Sequence, residues 1–217
     1  MEISMRDLSD VLPMQEISAY FSKEVLREEL RMADLNEVTQ LCPSDMFSLA
    51  VNCAIRAKQL FKQELDMIPL VPDLQLKSPH LIATLSTVLG EKALDDLYCC
   101  RCTVDGQQVA SLLVAQVWPR DLYVGMVMFA DPTKPLPEHE RKSVLHKFRG
   151  LGLLTTFVRR LEACAEAHKC RNITLRANET SQMQLFKKYG FVVDGYPAAL
   201  DAVEDGRSIP MHKSTPN

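Results

Sequence analysis

The sequence predicts an α/β fold, a mixed and mainly antiparallel central sheet flanked by helices, with a helical insertion. Three observations predict it. From Leu97 the apolar residues recur at every second position through two segments joined by the turn dipeptide Asp105-Gly106, the pattern of a β-hairpin. From Leu153 the spacing becomes helical and is followed by a strand, a short helix and further strands. Between Arg31 and Asp96 the spacing is helical but broken by prolines. Size and composition fit one such domain over 1–217: 217 residues, 47% hydrophobic and 24% charged, are globular values.

Taken in order, Ile3 and Met5 alternate with polar neighbours as a short first strand. DLSDVLPMQEISAYF reads as a helix with Ser9 as N-cap and Leu8, Val11, Leu12, Gln15 and Ser18 to Ala19 at helical spacing. Pro13 lies early enough in that helix to be tolerated. SKEVLREELRMAD reads as a second helix capped by Ser22, with Val25, Leu26 and Leu30 on one side. The insertion, 31–96, contains a helix opened by Pro43-Ser44-Asp45, an extended connection with Pro69, Pro72 and Pro79, and a helix from Leu81 to Leu97. After the hairpin, LYVGMVMFA is a third antiparallel strand. Residues 131–147 form an extended, proline-punctuated loop ending in basic residues. FRGLGLLTTFVRRLEACAEAHK is a turn leading into a helix, NITLRAN a strand, SQMQLFKKY a short helix, FVVDGYP a strand, and RSIPMHK the closing strand.

Charge excludes some functions. With 25 Lys+Arg against 28 Asp+Glu the net charge is −3, too low for a broad nucleic-acid face. No stretch approaches the ~20 apolar residues of a membrane helix, and Glu2, Arg6, Asp7 and Asp10 stand where a signal peptide is apolar, so a soluble cytoplasmic protein is expected. The seven cysteines show no paired C-x-x-C spacing. Cys100 and Cys102 share a strand face with Cys99 on the other, which reads as buried thiols. Cys164, His168 and Cys170 form a second metal candidate, but a fourth ligand is missing, and no metal is expected.

The informative stretch is Arg149-Gly150-Leu151-Gly152-Leu153-Leu154, at the start of a helix. Two glycines allow close backbone approach, and the first turn of a helix presents N–H groups without intrahelical acceptors, so the place suits an anion. Arg141, Lys142, His146, Lys147 and Arg149 gather just upstream, which makes a polyphosphate the natural ligand. A Rossmann site would need a third glycine, which is missing here, and a parallel strand before the turn.

These residues resemble the GNAT superfamily of acyl-CoA-dependent N-acetyltransferases. The family signature [QR]-x-x-G-x-[GA] is similar to Arg149 through Leu154, departing at Leu154. Its L-Y-x-x-x-G-F block resembles Leu185-Phe186-Lys187-Lys188-Tyr189-Gly190-Phe191, preceded by a strand ending in Asn178. The resemblance covers roughly 1–30 and 97–213 and leaves 31–96 without a counterpart. It implies an acetyl-CoA cosubstrate held between two strands that splay apart, by Arg149, Gly150, Leu151, Gly152, Leu153, Leu154, Asn178, Ser181 and Phe186. The strand ending near Ala130 would pair with the pantetheine arm, and Arg141, Lys142 or Lys147 would meet the ribose phosphate. It implies direct acetyl transfer to an amine acceptor of a protein, peptide or small molecule; a homodimer is allowed, and the charge and hydropathy above leave no nucleic-acid or membrane partner expected. The family's usual acid is the Tyr that is Phe186 here, so Tyr189 becomes the substitute acid. Asp131, Glu138 and His146 are the base candidates. Phe186 and Leu154 also leave open a non-catalytic module that binds CoA or a protein partner, and other acyl-CoA chemistry is a third reading. Asp194, Asp201, Glu204 and Asp205 would draw in a cationic acceptor, or form a solvated turn.

Overall fold

A sheet of seven strands in a row, with a short eighth appended, organises the computed structural model, which describes residues 10–21, 26–32, 94–117, 120–141 and 146–216. The strands are β1 (Leu26–Met32), β2 (Leu94–Val104), β3 (Gln107–Val117), β4 (Asp121–Pro135), β5 (Phe148–Gly150), β6 (Asn172–Glu179), β7 (Val192–Val193) and β8 (Arg207–Ser214). The α-helices, named among the described residues, are α1 (Met14–Tyr20), α2 (Leu154–Ala167), α3 (Thr180–Lys187) and α4 (Pro197–Glu204). The spatial order is β1-β2-β3-β4-β6-β8-β7, with β5 paired to β4. Among the described residues only β4 and β6 run parallel and the other pairs are antiparallel, so the sheet is mixed and mainly antiparallel, as the sequence predicts.

Local chemistry explains the hairpin. Asp105 and Gly106 both have positive φ, 49° and 77°, which matches the two-residue turn whose twist suits flanking strands. The turn sets the register Val104↔Gln107, and β3 then runs through the sheet centre with Val109 to Val117 buried.

The feature that positions a site is the parting of β4 from β6. They pair only over Asp121–Val124 and Asn172–Leu175. Beyond that point β6 stays with β8, while β4 stays with β3 as far as Phe129. Gly125 sits at the parting. Val124 pairs with Val114 and Met126 with Leu113, so Gly125 is the extra residue of a bulge, which bends the strand. A Cβ at Gly125 would lie 2.8 Å from Leu113 Cδ2 and 3.2 Å from Tyr123 Cε1, both on buried residues. Gly125→Ala is therefore expected to lower unfolding stability by about 1–3 kcal/mol, the cost of forcing volume into a filled core. A urea midpoint equal to wild type would refute it.

Helix α2 buries Phe157, Val158, Leu161, Cys164 and Ala165 on the sheet, with Leu154 half-buried at its start. These are the positions its helical spacing assigns to the core. Against α2 lies α1, whose neighbourhood contributes Val11, Leu12 and Ile17 to the same core. The α1 reading needs correction: helix is broken at Leu12 and Pro13, with Asp10 and Val11 helical before the break and α1 after it, because the ring and missing N–H of Pro13 interrupt the turn; Gln15 and Ala19 are exposed while Ile17 is buried.

Four further corrections have physical causes. The predicted second helix is strand β1 over Leu26–Met32, paired with β2 from Leu26↔Val104 to Met32↔Tyr98. A charged, leucine-containing segment with good helix propensity yields here to a neighbouring strand edge, because cross-strand pairing outweighs intrinsic preference. The proposed insertion 31–96 has strand at both described ends, 31–32 and 94–96, so Leu94 to Leu97 is not helical; 33–93, with the three prolines and both helix readings, lies outside the described residues, as does the strand at Ile3 and Met5. The loop predicted for 131–147 gives its first five residues to β4, and β5 follows it. FVVDGYP supplies only the two residues of β7, and Pro197 then opens α4, a helix absent from the sequence reading although Pro at its start and three alanines favour it.

Candidate functional site

The turn from β5 into α2 closes onto β4 just past the parting. Ala130 pairs with Gly150 and Asp131 with Arg149, and the Leu151 N–H donates to the Phe129 carbonyl at 3.2 Å. Gly152 follows with φ 73°, a conformation that disfavours any side chain, and its Cβ position faces open space with nothing within 4 Å. Leu151 and Leu153, on either side, are buried and pin the turn. The first intrahelical bond runs from the Phe157 N–H to the Leu153 carbonyl at 3.0 Å, so the amides of Leu154, Thr155 and Thr156 precede it. These amides and the positive end of the α2 dipole meet at an exposed glycine, an arrangement suited to a phosphate. Along β4, residues 125–129 are half-buried, and no strand among the described residues pairs with the edge that β6 leaves over 125–128. That edge can hydrogen-bond an extended ligand arm.

Around the turn the cations differ in their engagement. Arg149 and Lys147 are exposed. Arg141 Nε donates to the Leu136 carbonyl at 3.0 Å, which holds the loop rather than a ligand, and Lys142 lies outside the described residues. Asp131, the cross-strand neighbour of Arg149, is saturated: Lys134 Nζ lies 2.7 Å from Oδ2, and Thr133 donates its N–H and Oγ1 to Oδ1 at 3.0 and 2.6 Å. The Lys134 ammonium and the Thr133 donors hold this carboxyl below the usual carboxylate range. Asp131 is thus a weak base by its surroundings, engaged by Lys134 and Thr133. Glu138 sits exposed in a 3₁₀ turn, Glu138–Glu140, and His146 is half-buried two residues before β5.

Tyr189 reaches the first turn of α2, with its hydroxyl 3.0 Å from Thr155 Oγ1. Its carbonyl accepts from Lys213 Nζ at 2.7 Å, and Lys213 also donates to Glu162 on α2. Gly190 (φ 83°) ends α3, and the bonds Gly190 N–H to Lys187 and Phe191 N–H to Phe186 close the helix end. Phe186 is buried against Phe191, ring centroids 5.7 Å apart, and without a hydroxyl it has only packing to offer. Asn178 and Ser181 are exposed at the end of β6 and the start of α3, where the Asn178 N–H donates to Gln182 Oε1 and Ser181 Oγ to Glu179 Oε1. Sequence reading missed Thr155, which follows the glycine turn directly, and Tyr20, whose hydroxyl donates to the Leu151 carbonyl at 3.0 Å across 131 positions and left no local signal.

The acidic group divides. Asp194 Oδ1 lies 2.5 Å from His212 Nδ1, while Asp201, Glu204 and Asp205 are exposed on or beside α4. Cys164, His168 and Cys170 are buried, burial followed by the charge of Asp121 pushes the Cys170 thiol up to about 11, and no metal-holding cluster occurs among the described residues. None of the described helices is long and apolar enough to cross a membrane.

No protein-family model matches the sequence, and no curated protein matches it. Solved structures do. The chain is similar to a Bacillus anthracis protein assigned as a streptothricin acetyltransferase in complex with acetyl coenzyme A, at 14% identity and a TM-score of 0.36, over 55% of this chain and 64% of that one, under two thirds of its length. It is similar to an acyl-CoA N-acyltransferase from Pseudomonas aeruginosa at 17% identity and a TM-score of 0.37, over 87% of this chain and 99% of that one. It is also similar to an acetyltransferase of the GNAT family from Streptococcus pneumoniae at 15% identity and a TM-score of 0.33, over 88% and 100%. Likeness this distant carries no inference by itself; the fold assignment rests on the sheet order, the bulge at Gly125 and the parting of β4 from β6.

Proposed function

We propose that the protein is an N-acetyltransferase that moves an acetyl group from acetyl-CoA directly to a primary amine of a protein, peptide or small molecule. One observation carries the reading: β4 and β6 part at the Gly125 bulge, and the Gly152 turn brings the α2 amides back to β4 beside the parting. Its motifs are those that resemble the GNAT superfamily. In this reading the amides of Gly152 to Thr156 hold the diphosphate, Arg149 and Lys147 balance the remaining phosphate charge, and the vacated β4 edge aligns the pantetheine arm. The neutral amine attacks the thioester carbonyl carbon from about 3 Å; its surplus proton passes to a base, with His146 the candidate in place of the saturated Asp131. The C–S bond then breaks, and Tyr189 supplies the proton to the departing thiolate. Cys102, Cys164 and Cys170 are thiols, which suits a reducing compartment, and a cytoplasmic setting belongs to the proposal.

The test has two stages. Saturating CoA must raise the unfolding midpoint, because a ligand that binds only the folded state stabilises it; no shift at millimolar CoA overturns the reading. Release of CoA thiol from acetyl-CoA over an amine panel then measures turnover. Tyr189→Phe is expected to lower kcat about tenfold or more while CoA affinity holds within threefold; an unchanged kcat removes the acid role. The burial of Phe186 favours one second reading, a CoA-binding module without turnover, which binding without thiol release on any amine would support.

A further inference from the structure

We propose that Tyr20 is a positioning residue for the cosubstrate: its hydroxyl orients the Leu151–Gly152 peptide so that the Gly152 N–H faces the ligand. The inference rests on the acetyl-CoA reading above. Both backbone groups of Leu151 are engaged, its N–H with Phe129 of β4 at 3.2 Å and its carbonyl with Tyr20 Oη at 3.0 Å. In a trans peptide the carbonyl of one residue and the N–H of the next point in opposite directions. A Leu151 carbonyl held toward α1 therefore turns the Gly152 N–H away from α1. Among the described residues that N–H has no hydrogen-bond acceptor.

The latch matters because the next residue is glycine. A peptide flanked by glycine can rotate between turn forms at little cost, since glycine accepts either sign of φ. Tyr20 selects one orientation in advance, and an amide oriented before binding need not be ordered during it. A donor on the carbonyl also polarises the peptide and strengthens its N–H as a donor.

Helix α1 is a firm base for the latch despite having seven residues, a length that does not hold alone in water. Val11, Leu12 and Ile17 are buried, and Arg160 of α2 donates Nη1 to the Leu12 carbonyl at 3.0 Å and Nη2 to Glu16 Oε1 at 2.7 Å. The arm that fixes the turn is thus bound to the helix that the turn begins. Tyr20 itself is 54% exposed, so its ring contributes little to the core and its hydroxyl is the specific contact.

Tyr20→Phe removes that contact alone. By calorimetric titration of the full chain with CoA, the variant is expected to bind about threefold to tenfold more weakly, the worth of one net hydrogen bond. KM for acetyl-CoA should rise by the same factor, with kcat within twofold and the unfolding midpoint within about 2 °C. The Gly152 amide resonance should move in the ligand-free variant. Wild-type protein that fails to bind CoA defeats the acetyl-CoA reading and this inference with it. Wild type that binds, with Tyr20→Phe binding equally well, defeats this inference alone, as does weaker binding with an unmoved Gly152 resonance.

Discussion

Replacing Gly152 with valine is expected to reduce CoA affinity about 100-fold or more while leaving the protein folded. At φ 73° a residue with a Cβ is strained by about 1–2 kcal/mol, and a β-branched one more. The turn escapes that strain by rotating, which misaligns the Gly152 and Leu153 amides. A charge-assisted bond from an amide to a phosphate is worth about 1.5–3 kcal/mol, so losing two accounts for the drop. That strain is the main cost to folding and is small enough to leave the protein folded, since a Cβ there meets no protein atom within 4 Å. Gly152→Ala should fall between wild type and valine. Titration calorimetry beside a thermal melt checks both halves, and a valine variant within threefold of wild-type affinity would show that this turn does not hold the diphosphate.

That the sequence reveals this turn but not Tyr20 follows from where each signal resides. Arg149 to Leu154, the Asp105-Gly106 hairpin and the buried face of α2 are written in contiguous residues, where positive φ and periodicity leave marks on composition. The β1 segment has the opposite character: LREELRM has helix propensity, and only the distant edge of β2 makes it a strand. The substitution at Phe186 is visible as a missing hydroxyl, but its consequence is not, because the ring's burial depends on what the fold packs around α3. The same holds for Asp131, whose carboxylate looks like a base in sequence and is tied down by the two residues that follow the next proline. Tyr189 lies between these cases: the sequence places it at the end of a helix, whereas α3 stops at Lys187 and leaves it in the turn before Gly190, and its contact with Thr155 requires the fold.

Phe157→Ala should show the converse of Gly152→Val, with stability lost and the binding chemistry retained. Phe157 is 1% exposed and meets Phe129 with ring centroids 5.7 Å apart and planes inclined at 60°. Truncating such a ring costs about 3–5 kcal/mol, through lost transfer energy and the cavity left behind. For a domain of this size that lowers the unfolding midpoint by roughly 10 °C. The lesion lies directly beneath the site: Phe157 donates the first bond of α2, and Phe129 accepts the Leu151 N–H. Collapse around the cavity would tilt the helix start relative to β4, so a modest affinity loss should accompany the melt. Saturating CoA should then restore part of the lost midpoint, because a ligand at about 100 times its Kd contributes about 2.7 kcal/mol. Gly152→Val, by contrast, should need about 100-fold more CoA for the same gain. The two variants together separate holding the turn in place from using it. A Phe157→Ala protein that melts within 3 °C of wild type would mean that α2 is not anchored to β4 through these rings, and the geometry assigned to the anion site would lose its support.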